Sequence, residues 1–383
     1  MGKAFSKLRG KLVNGTCIPF KRKSASSTAS TREQLLARLK GSKVKIPNLK
    51  PLFSHWPQAV HLEIEKLDEY VQKTLESLFS SPGDEKQLQR MKKTNVAEFG
   101  ASWWPFALLE ALKIDTHFAT WLFVWDDETD STEFSSLIND FDKASAFRKE
   151  TAAYLKANLS RNNSSDLSEI STNRMITFFK PIGDAFLESS NDRQVKSFLD
   201  ELLFFIDMCE EEHRAQQKPM LPTIDEYMQR RVGSGAVRTC LALIEYSYGM
   251  NLPSEVMEGK LMQALWHEAN IIICVTNDMM SIKKEVEQSQ TDSLIPLLFL
   301  ELGSIQGAMN HATEMIKSAV RNFDEAEKAI LAQYSADLNV QEDIRKFVEA
   351  IKYACTSNLN WGLTSGRYRL GVKSMEGGVK VRL

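Results

Sequence analysis

The sequence predicts an all-α fold built as one large domain. Three observations support this prediction. From Pro57 onward, apolar residues recur at intervals of three and four, whereas no run shows the alternation of a strand and no repeat of fixed length occurs. The chain has 383 residues, of which 43% are hydrophobic, so it can bury a sizeable core. No linker rich in Pro, Gly or Ser follows residue 45, which favours one domain over two.

The helices can be placed in order along the chain. The first carries Leu67, Val71 and Leu75 on one face. Ser81-Pro82-Gly83 is typical of a turn, and Thr223 followed by Glu226 is a capping-box pattern that marks a helix start. The predicted helices span residues 57–79, 102–128, 131–158, 166–189, 192–216, 223–248, 254–287, 303–333 and 337–365.

Residues 1–45 are predicted to form a basic arm without fixed structure, and residues 46–383 the folded domain. The arm holds twelve Lys or Arg and one acid, giving +11, so the rest of the chain carries −13. This charge argues against nucleic-acid binding by the domain. The arm begins with an N-myristoylation pattern, with Gly2 as acceptor and Ser6 in place, and Cys17 offers a second lipid site. An organelle transit peptide has a similar composition.

Cysteine, histidine and hydropathy patterns narrow the class of protein further. The five cysteines stand singly, which is typical of a reduced, intracellular protein. The six histidines show no zinc-ligand spacing, and no apolar run is long enough to cross a bilayer. The chain is therefore expected in the cytoplasm, with weak membrane association if Gly2 is myristoylated.

A first group of candidate metal ligands lies in the segment 123–130, where an apolar and aromatic helix ends in four acids. Asp126 and Asp130 lie one turn apart and share a face. Like charges at a helix C-terminus repel each other and oppose the helix dipole, which is unfavourable unless a cation binds. Carboxylates at this spacing suit Mg²⁺. The alternative is a solvated acidic helix end.

A second group lies in the segment 277–285, late in an apolar helix. Asn277, Ser281 and Glu285 are spaced four and four, so an amide, a hydroxyl and a carboxylate form one row of oxygens on one helix face. Lys284 adds positive charge for an anion held by the same metal. The alternative is an ordinary amphipathic helix with a polar exposed face.

Together these segments resemble the DDxxD and NDxxSxxKE motifs of class I terpene cyclases, specifically the microbial and fungal sesquiterpene cyclase family. The resemblance covers residues from about 46 to the C-terminus. It implies a helical bundle around a central cavity, across which the motifs face each other. It also implies three Mg²⁺ ions, or Mn²⁺ in their place, with two held by Asp126, Asp127 and Asp130 and one by Asn277, Ser281 and Glu285.

Further positions match the pattern of this family. Arg231 lies 46 residues before Asn277, where the family has a diphosphate sensor. Ser234 and Gly235 occupy the family's linker and effector positions at a helix break, although the family often has Asp as linker. The resemblance implies that the diphosphate is bound by Arg231, Lys284, Arg367 and Tyr368. It also implies a cavity lined by Phe123 and Trp361, with Trp103, Trp104, Phe204 and Phe205 as further aromatic candidates.

The activity implied is ionisation of an allylic prenyl diphosphate, with farnesyl favoured over geranyl and geranylgeranyl diphosphate. The cation would then cyclise to a sesquiterpene hydrocarbon or alcohol, with release of diphosphate. Concentrated positive charge stabilises the leaving diphosphate, a dry cavity protects the cation from water, and aromatic faces stabilise it.

Two other functions fit parts of the same pattern. A prenyl chain-elongating synthase shares the helical fold, although such enzymes usually carry a second aspartate-rich motif where this chain has Asn277, Ser281 and Glu285. A helical scaffold or lipid carrier would keep the fold without turnover. The complete set of metal ligands argues against the carrier.

Overall fold

The computed structural model describes residues 32–130, 133–135, 137–162, 166–372 and 374–383, and most of them lie in α-helices. The helices are α1 Arg32–Leu39, α2 Ile64–Leu78, α3 Glu85–Thr94, α4 Val96–Trp103, α5 Leu109–Asp130, α6 Phe141–Asn158, α7 Leu167–Ile170, α8 Arg174–Thr177, α9 Lys180–Ser189, α10 Asp192–Gln216, α11 Ile224–Ser234, α12 Val237–Leu241, α13 Ile244–Ser247, α14 Ser254–Met257, α15 Lys260–Glu287, α16 Leu294–Leu302, α17 Ile305–Gln333 and α18 Leu338–Thr364. Strands β1 Lys43–Ile46 and β2 Val379–Arg382 and a 3₁₀ helix at Lys50–Phe53 complete the described elements.

Helix α15 is the centre of the bundle. It packs against α11, α12, α16, α17 and α18. Between Met262 and Val286 it buries residues on nearly every side, and a helix that is apolar around most of its circumference belongs in a core. Because α15 carries the second predicted ligand group near its C-terminus, that group lies on a helix that five others enclose. Among the described residues, no helix combines the length and the apolarity that a bilayer crossing requires.

The predicted all-α fold is confirmed, but several predicted helices are interrupted. The helix predicted at 192–216 matches α10, and those at 303–333 and 337–365 match α17 and α18 within two residues. The segment 102–128 breaks before Pro105, because the residue preceding a proline is disfavoured in a helix. The segment 166–189 forms three helices, and the side chain of Asn173 caps the second of them.

Other boundaries also differ from the prediction. The segment 223–248 breaks at Ala236, which has a left-handed φ of 55°, and 254–287 breaks before Gly259. Helix α2 starts at Ile64 rather than at residue 57, and α6 starts after the cap Asp140 rather than at 131. Helices α3 and α16 were not predicted, because α3 has only two apolar residues, Leu88 and Met91, and α16 is apolar at nearly every position.

The boundary of the basic arm at residue 45 is wrong. Residues 32–45 include α1, which buries Leu35 and Leu39, and most of β1. Strand β1 pairs antiparallel with β2, with Val44 opposite Val381 and Ile46 opposite Val379. A four-residue strand whose partner lies at the far end of the chain leaves no clear local pattern, so no strand was predicted. Gly2, Ser6 and Cys17 lie outside the described residues.

Helix α5 carries a buried histidine whose ionisation is linked to stability. His117 is only 6% exposed, and its ring stacks on Phe178 at 4.1 Å between centroids. Its Nε2 lies 3.0 Å from the Phe178 carbonyl oxygen, and its Nδ1 lies 3.0 Å from the Tyr70 hydroxyl. Burial lowers the pKa of His117 to about 4, although the Phe178 carbonyl acts in the opposite direction. The imidazole is therefore neutral in the folded protein at neutral pH.

We expect acid to destabilise the fold through His117. Because its pKa in the folded chain is about 4 and its usual value is 6.5, the unfolded chain binds the proton first as the pH falls. The contribution of His117 is complete above pH ~7, and about 2 kcal/mol of it is lost by pH ~5. Urea unfolding at both pH values should show a smaller loss in His117→Gln than in the wild type. The exposed His311, changed to Gln, is the control, and equal losses in all three proteins would contradict this assignment.

Candidate active site

A cavity of about 410 Å³ brings the two predicted ligand groups together. Helices α5, α10, α11, α15 and α18 all contribute to its wall. Twelve of the fourteen predicted site residues line it: Phe123, Asp126, Arg231, Ser234, Gly235, Asn277, Ser281, Lys284, Glu285, Trp361, Arg367 and Tyr368. Asp127 does not line the cavity, and the side chain of Asp130 is outside the described residues. Residues of both motifs therefore face one hollow.

The acidic end of α5 is held by arginines. Asp126 points into the cavity and accepts a hydrogen bond from Arg367 Nη2 at 2.9 Å. Asp127 is buried, and its Oδ1 accepts from Arg367 Nη1 at 3.3 Å and from Arg90 Nη2 at 3.4 Å. Its Oδ2 is also buried but has no hydrogen-bond partner among the described residues. The two carboxylates therefore differ. Asp126 is available to a ligand in the cavity, whereas Asp127 holds the Arg367 guanidinium that bonds to Asp126.

The second motif forms a row on α15, as its spacing predicted. Ser281 Oγ donates to Glu285 Oε1 at 2.5 Å, and Ser293 Oγ donates to the other carboxylate oxygen at 2.6 Å. Burial raises the pKa of Glu285 to about 7, and the negative charge of Asp278 adds to this effect. A cation bound at Glu285 would favour its ionised form. The side chain of Lys284 also lines the cavity.

The C-terminal pair Arg367-Tyr368 connects the two motifs. Arg367 donates to Asp126 and Asp127 of α5, while the hydroxyl of Tyr368 accepts a hydrogen bond from Asn277 Nδ2 at 2.6 Å. Burial raises the pKa of Tyr368 to about 12, so the phenol is neutral. Two adjacent residues after α18 thus contact both ligand groups, although Asp126 and Asn277 lie 151 residues apart in the sequence.

Arg231 is fixed by the predicted ligand Asn277 and by Asp278, which the sequence analysis did not identify. Its Nη2 donates to Asn277 Oδ1 and to Asp278 Oδ1, both at 2.9 Å. The hydroxyl of Tyr227 donates to the other oxygen of Asp278 at 2.7 Å. Burial raises the pKa of Asp278, while Arg231 and Tyr227 lower it. Asp278 follows Asn277 within the motif. Its position in an otherwise apolar stretch of the chain was the only sequence signal that it would be buried.

The helix break at Ser234 and Gly235 is present between α11 and α12. Ala236 has a φ of 55° and begins α12, so the chain turns here. A Cβ atom on Gly235 would lie 2.4 Å from Cys274 Sγ of α15, which explains why glycine is needed at this position. Ser234 lines the cavity beside Glu212 and lowers the pKa of that carboxyl group.

Glu212 of α10 is a cavity residue that the sequence analysis missed. It lines the same cavity as Arg231 and Ser234. Burial raises the pKa of Glu212, and the positive charge of Arg231 and a contact with Ser234 lower it. Glu212 belongs to a cavity-facing row with Phe205, Cys209 and Gln216, spaced four, three and four, so the periodicity of α10 was the available signal.

Aromatic rings form one wall of the cavity below the polar rim. Phe123 and Trp361 stack at 5.4 Å between centroids, and Phe99 packs edge-on against both, at 5.5 and 5.1 Å. The guanidinium of Arg367 lies 4.9 Å from the centre of the Phe123 ring. Trp103 and Phe205 also line the cavity, whereas Trp104 and Phe204 are not among its lining residues. The rings can therefore stabilise positive charge within the cavity.

The described oxygen donors suit a hard divalent cation. Asn277, Ser281, Glu285 and Asp126 offer amide, hydroxyl and carboxylate oxygens, which are the ligands that Mg²⁺ prefers. No group of three His, Cys, Asp or Glu that could hold a metal occurs among the described residues, which leaves this mixed set as the candidate. Arg367 donates to Asp126, and Arg231 donates to Asn277. The guanidinium groups of both arginines are suited to bind a diphosphate.

Comparison with known families identifies the family of this chain. A family model described as terpene synthase family 2, C-terminal metal binding, matches residues 117–322, more than half of the chain. The chain belongs to terpene synthase family 2. Within this terpene synthase, the matched region contains both ligand segments and Arg231. The family model itself describes metal binding, in agreement with the donors in the cavity.

Relatives of this terpene synthase carry names from the same class. Sesquiterpene cyclase hepA of Aspergillus oryzae is 29% identical over 367 residues, which cover 94% of this chain and 98% of the relative. The (+)-eremophilene synthase of Sorangium cellulosum is 27% identical over 294 residues, covering 76% and 84%. A solved hedycaryol synthase, in complex with nerolidol, superposes with a TM-score of 0.66 at 16% identity and covers 80% of this chain and 96% of its own. The protein is a class I terpene synthase with the helical fold of that class.

Proposed function

We propose that this terpene synthase converts farnesyl diphosphate to a cyclic sesquiterpene hydrocarbon or alcohol, with three Mg²⁺ ions. The observation that carries the proposal is the link made by Arg367 and Tyr368 between Asp126 and Asn277 above an aromatic wall. One cavity thereby offers a polar rim for a diphosphate and an apolar interior for a hydrocarbon chain. Its volume of about 410 Å³ falls within the usual range for small-molecule sites, about 300–1,000 Å³. The sesquiterpene names of the relatives support the C15 substrate.

The residues have separate tasks in this proposal. Asp126 and Asp130 would hold two ions, and Asn277, Ser281 and Glu285 the third. Asp127, which does not line the cavity, would act indirectly by fixing Arg367 beside Asp126. Bound Mg²⁺ would supply positive charge that neutralises the diphosphate oxygens. Arg231, Lys284, Arg367 and Tyr368 would bind and orient the same anion, so that the electron pair of the carbon–oxygen bond departs with the diphosphate.

The apolar interior handles the allylic cation that remains. Phe123 and Trp361 line the cavity, and the negative quadrupole of an aromatic ring stabilises a cation without forming a bond to it. Both rings are held by packing, and Trp361 Nε1 also donates to the Thr94 carbonyl oxygen at 2.9 Å. Fixed rings can impose one conformation on the substrate chain, and ring closure then follows from the shape of the cavity.

Product analysis tests this proposal directly. The purified chain is incubated with Mg²⁺ and, separately, geranyl, farnesyl and geranylgeranyl diphosphate, and the products are analysed by gas chromatography and mass spectrometry. We expect a cyclic C15 product from farnesyl diphosphate alone and none after chelation of the metal. Products that are longer than the substrate and appear only with added isopentenyl diphosphate would show a chain-elongating synthase instead.

A further inference from the structure

Arg32, at the start of α1, belongs to the active-site cavity although it lies far from both motifs in sequence. Its side chain lines the cavity, and its guanidinium forms a two-pronged pair with Asp292, with Nε–Oδ1 and Nη2–Oδ2 distances of 2.7 Å each. It also donates to the backbone carbonyl oxygens of Ala215, at 3.2 Å, and Lys218, at the end of α10. Arg32 thus joins three separate segments at one edge of the cavity.

The partner of Arg32 lies in the loop that supports Glu285. The loop consists of residues 288–293, between α15 and α16, and all six line the cavity. Asp292 is buried in this loop, with 8% of its side chain exposed, and the next residue, Ser293, donates to Glu285. Ser289 has a φ of 61°, an unfavourable conformation for a residue other than glycine. Contacts from outside the loop are needed to hold such a conformation.

Helix α1 is firmly attached, so the position of Arg32 is determined by the fold. Leu35 and Leu39 are buried, at 2% and 0% exposure, and α1 packs against α16. Immediately after α1, Gly41 N donates to the Leu383 carbonyl oxygen at 2.6 Å, and β1 then pairs with β2. The segment 32–46 therefore fastens the N-terminal side of the domain to its C-terminal strand and presents Arg32 at the cavity.

We propose that Arg32 is a positioning residue of the active site, because it holds Asp292 and thereby fixes the loop 288–293. The fixed loop places Ser293 against Glu285 and closes one edge of the cavity to water. A planar guanidinium suits this task, since it bonds to a carboxylate through two parallel hydrogen bonds. An exposed ion pair would contribute little to stability, but the side chain of Asp292 is buried. The next residue, Ser293, donates a hydrogen bond to Glu285, a candidate metal ligand. This inference rests on the proposed function.

The test compares Arg32→Gln with Arg38→Gln, a matched change in the same helix. Arg38 lies over the Phe299 ring, at 4.7 Å, and does not line the cavity. In protein without ligands, we expect faster amide hydrogen exchange over residues 288–293 in Arg32→Gln but not in Arg38→Gln. Calorimetric titration with Mg²⁺ and inorganic diphosphate should show binding weakened by about three- to tenfold in Arg32→Gln only, since supporting contacts of metal ligands affect affinity on this scale.

Further variants separate positioning from packing. Arg32→Lys keeps the positive charge but loses the two parallel hydrogen bonds to Asp292, and we expect diphosphate binding to weaken as in Arg32→Gln. This variant also tests the proposal if Arg32→Gln does not fold. Asp292→Asn should weaken binding to a similar degree, and the double variant should be no worse than either single variant, because both remove one interaction. With farnesyl diphosphate as substrate, we expect a larger share of hydroxylated product from the Arg32 variants.

Two results would overturn the proposal. One is that folded Arg32→Gln and Arg32→Lys show the same amide hydrogen exchange over residues 288–293 and the same diphosphate binding as the wild type. The other is an equal effect of Arg38→Gln, which would reduce the role of Arg32 to helix packing. If the wild-type chain turns over no prenyl diphosphate, the proposed function fails, but the exchange and calorimetric measurements still decide the role of Arg32.

Discussion

Replacing Glu285 with alanine is expected to lower turnover of farnesyl diphosphate by about 10²- to 10³-fold, the range seen when one preorganised group that stabilises a transition state is removed. The physical reason is that Glu285 ends the row of oxygens on α15 and is oriented by hydroxyls on both of its oxygens, Ser281 and Ser293. Without the carboxylate, the cation nearest this helix loses its only charged ligand in the predicted set. Single-turnover and steady-state kinetics at saturating Mg²⁺ would measure the loss.

Glu287→Ala is the matched control for this prediction. Glu287 lies two residues further along α15, is paired with Arg369 at 3.0 Å and does not line the cavity. We expect turnover within about twofold of the wild type, because an exposed ion pair contributes little. Asn277→Ala should resemble Glu285→Ala, since it removes the amide oxygen at the other end of the row. Undiminished turnover in both Glu285→Ala and Asn277→Ala would contradict the assignment of this row as a metal site.

Each of the two ligand groups could be predicted from the sequence, because helical geometry alone places the members of a group on one face of their own helix. Residues spaced by four share a face of any straight helix, and Asn277, Ser281 and Glu285 do so in α15. The resemblance to a family added Arg231, Arg367 and Tyr368, which no local pattern would have connected. Asp278 was overlooked because a carboxylate between motif residues appears as one more acid, and only tertiary structure shows that it contacts Tyr227 and Arg231.

The errors in the fold also have a physical origin. Periodicity continues across Gly233 to Ala236, so it predicted one helix where the backbone turns at Ala236. The N-terminal segment was assigned to a basic arm on composition, but Leu35 and Leu39 suffice to dock α1 once α16 offers an apolar surface. The role of Arg32 depends on Asp292, 260 residues away, and no local signal can report such a pair.

Replacing Asp278 with alanine is expected to lower the free energy of unfolding by about 3–5 kcal/mol, because removal of one partner leaves the other charge buried and unpaired. The Arg231 side chain is only 16% exposed and that of Asp278 only 1%, so water would be a poor replacement for the lost carboxylate. The Tyr227 hydroxyl would lose its acceptor as well. Urea unfolding at pH ~7.5 would measure the change. Asp343→Ala, which removes an exposed carboxylate 4.0 Å from Lys346, should change stability by less than about 0.5 kcal/mol.

A double variant shows why this pair is present. Adding Arg231→Met to Asp278→Leu removes both charges, and replacement of a buried ion pair by apolar side chains often restores stability. We expect the double variant to have a higher free energy of unfolding than Asp278→Leu alone, yet to have lost turnover, because Arg231 is also the proposed ligand of the diphosphate. A double variant that is both stable and fully active would show that the pair serves the fold alone. The expected result assigns the ion pair to holding Arg231 ready at the rim, beside Asn277, where the anion would bind.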